Sequence, residues 1–195
     1  MTKSEKTRQF IIEQSAALFN KKGLAGTSMS DVMEVTKMAK GGLYGHFESK
    51  DELCHAVVDY NLGKIAETVA NAVNKASSAK DKLFAFLEVF NSPTQYPVEG
   101  GCPILNFGTE ADDTSPVVRE KVKSIILQAQ TTAANIIRKG IVDGEFKATF
   151  KAKEFAIMMF SILEGGVLIG RVLGTNSQMK MMINMLKKEI EHQLE

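Results

Sequence analysis

The sequence predicts an all-α protein of about nine helices. Apolar residues recur at three- and four-residue intervals in segment after segment, and no stretch alternates with the two-residue period of a half-buried strand. Helix-start residues and Gly or Pro breaks fall between the apolar runs. Three short helices fill residues 1–47, and a larger helical body follows over residues 48–195. The composition fits a globular chain: 195 residues, 44% hydrophobic and 24% charged. A formal charge of +1 excludes a highly basic, tail-driven nucleic-acid binder. It leaves room for a local basic face. Residues 1–50 hold eight Lys/Arg against five Asp/Glu, a net +3, and the other 145 hold sixteen against eighteen, a net −2.

The first helix is expected from about Ser4 to Lys22, with Ile12, Ala16 and Phe19 on one face and Gly23 as its stop. Thr27 or Ser28 starts a second short helix, and Asp31, three residues after Ser28, resembles a reciprocal cap. A turn near Thr36–Lys37 leads to a third, about Met38 to Tyr44. Ser49 and Glu52 open a fourth helix that continues to about Asn74. Leu83, Phe84, Leu87 and Phe90 mark the fifth. Pro93, Pro97, Gly100 and Gly101 make the next piece a loop, and Pro103 suits the first turn of a short buried helix. Ser115–Pro116 starts a long helix that Gly140 is expected to end. Two apolar helices follow, Lys153 to Val172 and Gln178 to the terminus.

Several chemistries lack their signatures. Cys54 and Cys102 cannot make a disulfide framework and have no CxxC neighbour; buried small hydrophobes is the plainer reading. His46, His55 and His192 do not have metal-ligand spacing, and neither a phosphate-cradling GxxxxGK nor a nucleophile elbow is present. No metal and no cofactor are expected. No run reaches about 20 uninterrupted apolar residues, and the N-terminal residues lack a secretory pattern. A cytoplasmic protein with no membrane partner is the expectation.

The string KMAKGGLYGHF carries the most information. Gly41 and Gly42 each cost roughly 1 kcal/mol in an exposed helix interior. A close backbone approach to another molecule would explain them. Lys40 precedes them, and Tyr44, His46 and Lys50 add donors of the kind that position phosphates. Residue by residue, a solvated lysine and a partly buried tyrosine remain open alternatives.

The run TSMSDVMEVTKMAKGGLYGHFESKDEL, residues 27–53, resembles the DNA-binding segment of the TetR family of helix-turn-helix transcriptional repressors, and Ile11, Ala16, Leu18, Phe19 and Gly23 fit it upstream. The resemblance implies that Thr27 and Ser28 cap the first motif helix near phosphate. It puts Ala39, Lys40, Gly41 and Gly42 on the leading turn of the recognition helix. Tyr44 then contacts phosphate, with His46 nearby, and Lys50 opens the fourth helix. Four positions depart from the family pattern. Lys37 stands at a turn often held by Gly, Gly42 where Thr or Ser is common, and Gly45–His46 where His–Tyr is usual. It also implies a homodimer on a double-stranded, near-palindromic DNA operator, released by a small-molecule effector.

The body then holds an effector pocket and a subunit face. Candidate linings are Phe84, Phe86, Phe90, Phe107, Met158 and Phe160, with Asn106 and Glu110 as polar handles. Such a pocket favours an apolar or amphipathic effector. Phe155, Met159, Ile162, Gly166 and Ile169 share one face of the penultimate helix. Met179, Ile183, Leu186 and Ile190 recur at intervals of four, three and four on the last. Paired with a second copy they would close a four-helix interface; a core stripe within one chain is the alternative. Two other functional classes stay open. One is a helical enzyme using the cavity, with Glu110, Asp112 and Asp113 as its nearest carboxylates; the other is a sensor with no DNA role.

Overall fold

The computed structural model describes residues 1–91 and 97–195. Pro93, assigned above to a loop, lies outside the described residues. Among these there are nine helices: α1 (Lys3–Gly26), α2 (Met29–Thr36), α3 (Lys40–Tyr44), α4 (Lys50–Asn74), α5 (Ala79–Val89), α6 (Pro103–Ala111), α7 (Pro116–Val142), α8 (Ala152–Leu173) and α9 (Ser177–His192). The chain forms two compact units, Met1–Ile65 with Pro97–Lys123, and Ala66–Tyr96 with Ser124–Glu195. The short helix α6 therefore belongs with the N-terminal helices.

In the first unit Ile11, Ile12, Ala16 and Phe19 of α1 are buried, as are Val32, Leu43, Phe47, Leu53, Val57 and Val58. Helix α1 opens with a reciprocal cap between Thr2 and Glu5 that the sequence reading did not include. Gly23, at φ 80° and ψ 172°, breaks its helical path, and a last turn runs on to Gly26. Ser28 caps α2 and Asp31 returns the bond, as the spacing predicted. Lys37 ends α2 in the left-handed conformation, φ 57° and ψ 27°, which strains a side chain with a Cβ. Ser49 Oγ accepts the Glu52 amide at 3.1 Å, while the Glu52 carboxylate returns to the Glu48 amide at 2.7 Å.

In the second unit, Ser78 caps α5 and the Glu145 carboxylate accepts from the Ala79 and Lys80 amides at 2.6 and 2.7 Å. Phe86 and Phe90 stack with ring centroids 6.0 Å apart. Gly140 does not end α7. The helix continues to Val142, and a Cβ on Gly140 would run into the Phe146 ring and lie 2.7 Å from the Ala79 Cβ. The glycine is there for close packing; Gly144, at φ 75°, follows in the turn after the helix.

Helices α8 and α9 pack along each other. Phe155, Met159, Leu163, Gly166 and Val167 of α8 are buried, as are Met179, Ile183, Leu186 and Ile190 of α9. The ends of the Met179 and Met182 side chains lie over Gly166, where a Cβ would come within 2.8 Å of Met179 Cε. By length and composition alone α8 is apolar enough to cross a membrane. Its buried stripe against α9 and Glu164 within it are those of a packed bundle helix.

Replacing Lys37 with Gly should relieve the left-handed strain and raise stability by about 0.5–1 kcal/mol, partly offset by glycine's greater unfolded-state entropy. Urea unfolding of Lys37→Gly beside the wild type reads this out; an equal or lower midpoint would contradict it.

Candidate nucleic-acid interface

The interface is built from the break in α1. The Gly23 turn leaves the Leu24 and Ala25 amides without helical partners, and both oxygens of Glu110 take them, at 2.8 and 2.7 Å. A Cβ at Gly23 would lie 2.6 Å from Glu110 Oε2, so the carboxylate occupies the space a side chain would need. Thr27 Oγ1 donates to the Gly23 carbonyl at 2.7 Å. Just upstream, Asn106 Nδ2 donates to the Asn20 carbonyl, Asn20 Oδ1 and the Gly100 carbonyl, at 3.0–3.1 Å. Asn20 Nδ2 donates to the carbonyls of Glu99 and Gly101. Helix α6 and the loop before it are thus tied to the end of α1, and α2 starts from a fixed point. Asp31 at the start of α2 bonds Ser28 and lies 2.7 Å from Lys22 Nζ, which holds its carboxyl well below the ordinary range.

Helix α3 is a single turn. Leu43 is its buried side chain; Ala39, Lys40, Gly41 and Tyr44 are exposed, and Gly42 is half-buried. Ala39 gives α3 no side-chain cap, and its carbonyl accepts the Gly42 and Leu43 amides at 2.9 and 3.2 Å. A Cβ at Gly41 would meet nothing within 4 Å, so nothing within the folded chain requires a glycine there. Lys40 Nζ lies 5.9 Å from the centroid of the Tyr44 ring. Lys50 Nζ reaches the Ala25 carbonyl at 3.4 Å, a weak bond for a three-donor ammonium. His46 is half-buried, and its carbonyl accepts from Arg8 at 2.9 Å. Arg8 also pairs with Glu52 at 2.9 Å and lies 4.0 Å over the Phe47 ring.

Ala39, Lys40, Gly41 and Tyr44 therefore share the exposed edge of α3 with the half-buried Gly42, while the half-buried Lys50 opens α4 and reaches toward Ala25. Thr27 does not share it. The residue is 1% exposed and its hydroxyl is committed to Gly23, so Ser28 alone caps α2. Arg8 was not identified from sequence; an arginine 38 positions from its partner carries no local signal.

The body residues divide. Phe84, Phe86 and Phe90 share α5, with Phe84 half-buried under the ammonium groups of Lys80 and Lys187. Phe160 is buried in α8. Asn106, Phe107 and Glu110 belong to α6 in the first unit. Both oxygens of Glu110 and the amide of Asn106 are engaged by α1 and its neighbouring loop, which corrects their reading as polar handles for an effector. The same bonds tie Glu110 to structure rather than to Asp112 and Asp113, both exposed. Met158 is exposed and lines a groove of about 600 Å³ between α8 and α9, with Phe155, Ile162, Met182 and Met185.

The expected subunit stripe also needs correction. Phe155, Met159, Gly166, Met179, Ile183, Leu186 and Ile190 are buried within one chain, because α8 and α9 use them against each other. Ile162 is half-buried and Ile169 exposed. The apolar residues left outside are Ile157, Met158, Leu168, Ile169, Val172, Leu173, Met181 and Met185. Both cysteines are buried, and burial pushes the Cys54 thiol up to about 11, well away from a reactive thiolate.

A short exposed helix, braced by a second across a tight turn near the basic end of the chain, has the form of a helix-turn-helix unit. Residues 11–57 match the model for bacterial regulatory proteins of the tetR family, and residues 79–186 that for the tetracyclin repressor-like C-terminal domain. The probable HTH-type transcriptional regulator ArpR of Pseudomonas putida is 30% identical over 186 residues, covering 87% of this chain and 81% of its own. A TetR transcriptional regulator from Chloroflexus aurantiacus superposes with a TM-score of 0.95 at 38% identity, over 100% of this chain and 98% of its own. The TetR family transcriptional regulator CifR, a cysteine mutant complexed with a 26-bp double-strand operator DNA, shares the fold at a TM-score of 0.79 and 18% identity, over 92% of this chain and 94% of its own. The chain belongs to the TetR family.

Removing the Glu110 carboxylate should leave two backbone amides without their charged acceptor. Glu110→Ala is expected to lower stability by about 1–3 kcal/mol. A thermal unfolding midpoint equal to wild type would show that water replaces the carboxylate without loss.

Proposed function

We propose that this regulator is a repressor that binds a near-palindromic operator as a homodimer and is released by a small-molecule effector. The observation that carries the DNA half is Gly41. It is a poor helix former on an exposed turn, and nothing on its own chain requires it. A duplex backbone or base edge approaching α3 closely would. On this reading residues 1–47 contact DNA, and residues 48–195 bind the effector and pair the chains. Lys40 contacts a base edge, and Tyr44, Lys50 and the Ser28 end of α2 position phosphates. His46 serves through its place at the end of α3.

The subunit face is assigned to the exposed apolar residues of α8 and α9, with Ile162 and Ile169 retained from the sequence reading. Met181 and Met185 are 57% and 64% exposed, and the groove beside them is lined mainly by apolar side chains. A patch of that kind on a bundle marks an interaction site. The effector is apolar or amphipathic, with Phe84, Phe86, Phe90, Met158 and Phe160 as the residues retained for it. It acts only through a higher affinity for the state that does not bind operator. Such a protein works in the cytoplasm, beside the DNA it controls.

Selection from a random duplex pool tests the reading. The expected result is a reproducible palindrome with half-sites about one helical turn or a multiple apart, bound by two chains. Failure to enrich any sequence, or one chain per duplex, would overturn it. On the selected duplex, Lys50→Ala should weaken binding similarly on all sequences and reduce the salt slope by about one. Unchanged binding on every duplex at low salt would remove Lys50 from the interface. Lys40→Ala should lose about 1–3 kcal/mol of discrimination against a mismatched site. If neither affinity nor that ratio moves, Lys40 does not read a base.

A further inference from the structure

Resting on the DNA-binding reading above, we propose that Arg8 is a positioning residue: it fixes the pose of α3, and so the sequence preference, without touching DNA. Helix α3 has five residues, and two of them are glycines. Leu43 is its buried side chain, and neither Gly41 nor Gly42 presents a side chain to pack. A single turn so built cannot set its own angle. Its orientation has to be imposed at its ends.

Arg8 acts at the exit. One guanidinium nitrogen donates to the His46 carbonyl at 2.9 Å, and the other meets Glu52 Oε1 at 2.9 Å. The guanidinium carbon sits 4.0 Å from the centroid of the Phe47 ring, and Phe47 is 1% exposed. Glu52 holds the same corner from the other side, its second oxygen accepting the Glu48 amide at 2.7 Å. The residues from 46 to 48 are thus gripped through a carbonyl, a ring and an amide. This is a task for a planar fork rather than for a point charge. The charge of Arg8 is already paired with Glu52, and its hydrogen bonds run to the protein, which separates it from Lys50 as a phosphate donor.

The test uses the full chain, the duplex that wild-type protein recovers from a random pool, and a shuffled duplex of equal composition. Affinities are measured over a series of salt concentrations, with the folded fraction read by circular dichroism at the assay temperature. Arg8→Lys keeps the charge and loses the fork. It should weaken binding to the selected duplex roughly tenfold, leave the shuffled duplex nearly unchanged, and keep the salt slope. Glu52→Gln should move the same ratio in the same direction by less, and it decides the matter if Arg8→Lys does not fold. A salt slope reduced by about one would make Arg8 a phosphate contact and overturn the proposal. Equal losses on both duplexes would reduce it to a stability effect and overturn it too, as would an unchanged ratio. A wild-type chain that recovers no duplex overturns the DNA reading and this inference together. A wild-type chain that recovers one, beside an Arg8→Lys protein of equal preference, overturns this inference alone.

Discussion

The N-terminal unit depends on how one break in a helix is satisfied. Gly23 turns the chain out of α1 at a positive φ, and the turn exposes two amides and a carbonyl in a crowded place. Glu110 takes both amides, and the Thr27 hydroxyl takes the carbonyl. A charged acceptor on two amides is stronger than the neutral bonds it replaces. Because Glu110 comes from α6, the start of α2 is referred to a helix that lies 86 residues away along the chain from Leu24. Asn106 and Asn20 repeat the device one turn earlier with neutral amides. The direction in which α2 leaves, and hence the place of α3, follows from these bonds.

What was legible in the sequence is what is local. Ser28 with Asp31 formed as a reciprocal cap; Ser49 caps the Glu52 amide three residues on, while the Glu52 carboxylate goes to the Glu48 amide instead of returning to Ser49. The third helix had no such signal: Ala39 makes no side-chain cap, and α3 begins at Lys40 rather than at the expected Met38. The apolar periodicity of α8 and α9 correctly showed a buried stripe, but period alone does not say which chain does the burying. The stripe Met179, Ile183, Leu186 and Ile190 closes against its own chain. Gly140 shows the same limit: a glycine near a helix end reads as a stop, yet here Phe146 and Ala79 press on the helix where it stands. Glu110, Asn106 and Arg8 were misread or missed because their partners are far along the chain. A carboxylate near two others looks like a solvated loop until the amides that claim it are seen.

The division of labour within the first unit follows from side-chain length. The residues that hold the frame, Arg8, Glu52, Asn20, Asn106 and Glu110, are polar and reach across several ångströms. The residues on the outward edge of α3 are short, apart from Lys40 and Tyr44. A frame of long polar arms around a nearly bare helix lets the backbone itself come to the surface. Cys54 of α4 is buried, and that burial pushes its thiol up.

The empty space over Gly41 bears on descent. Most positions that touch a partner are also braced by their own fold, so a change of partner first has to be tolerated by the fold. At Gly41 a new Cβ would meet nothing of its own protein within 4 Å, and leaving glycine would favour the helix by about 1 kcal/mol. On the proposed DNA-binding role of α3, a lineage carrying this chain can therefore change the residue there without a compensating change elsewhere beforehand.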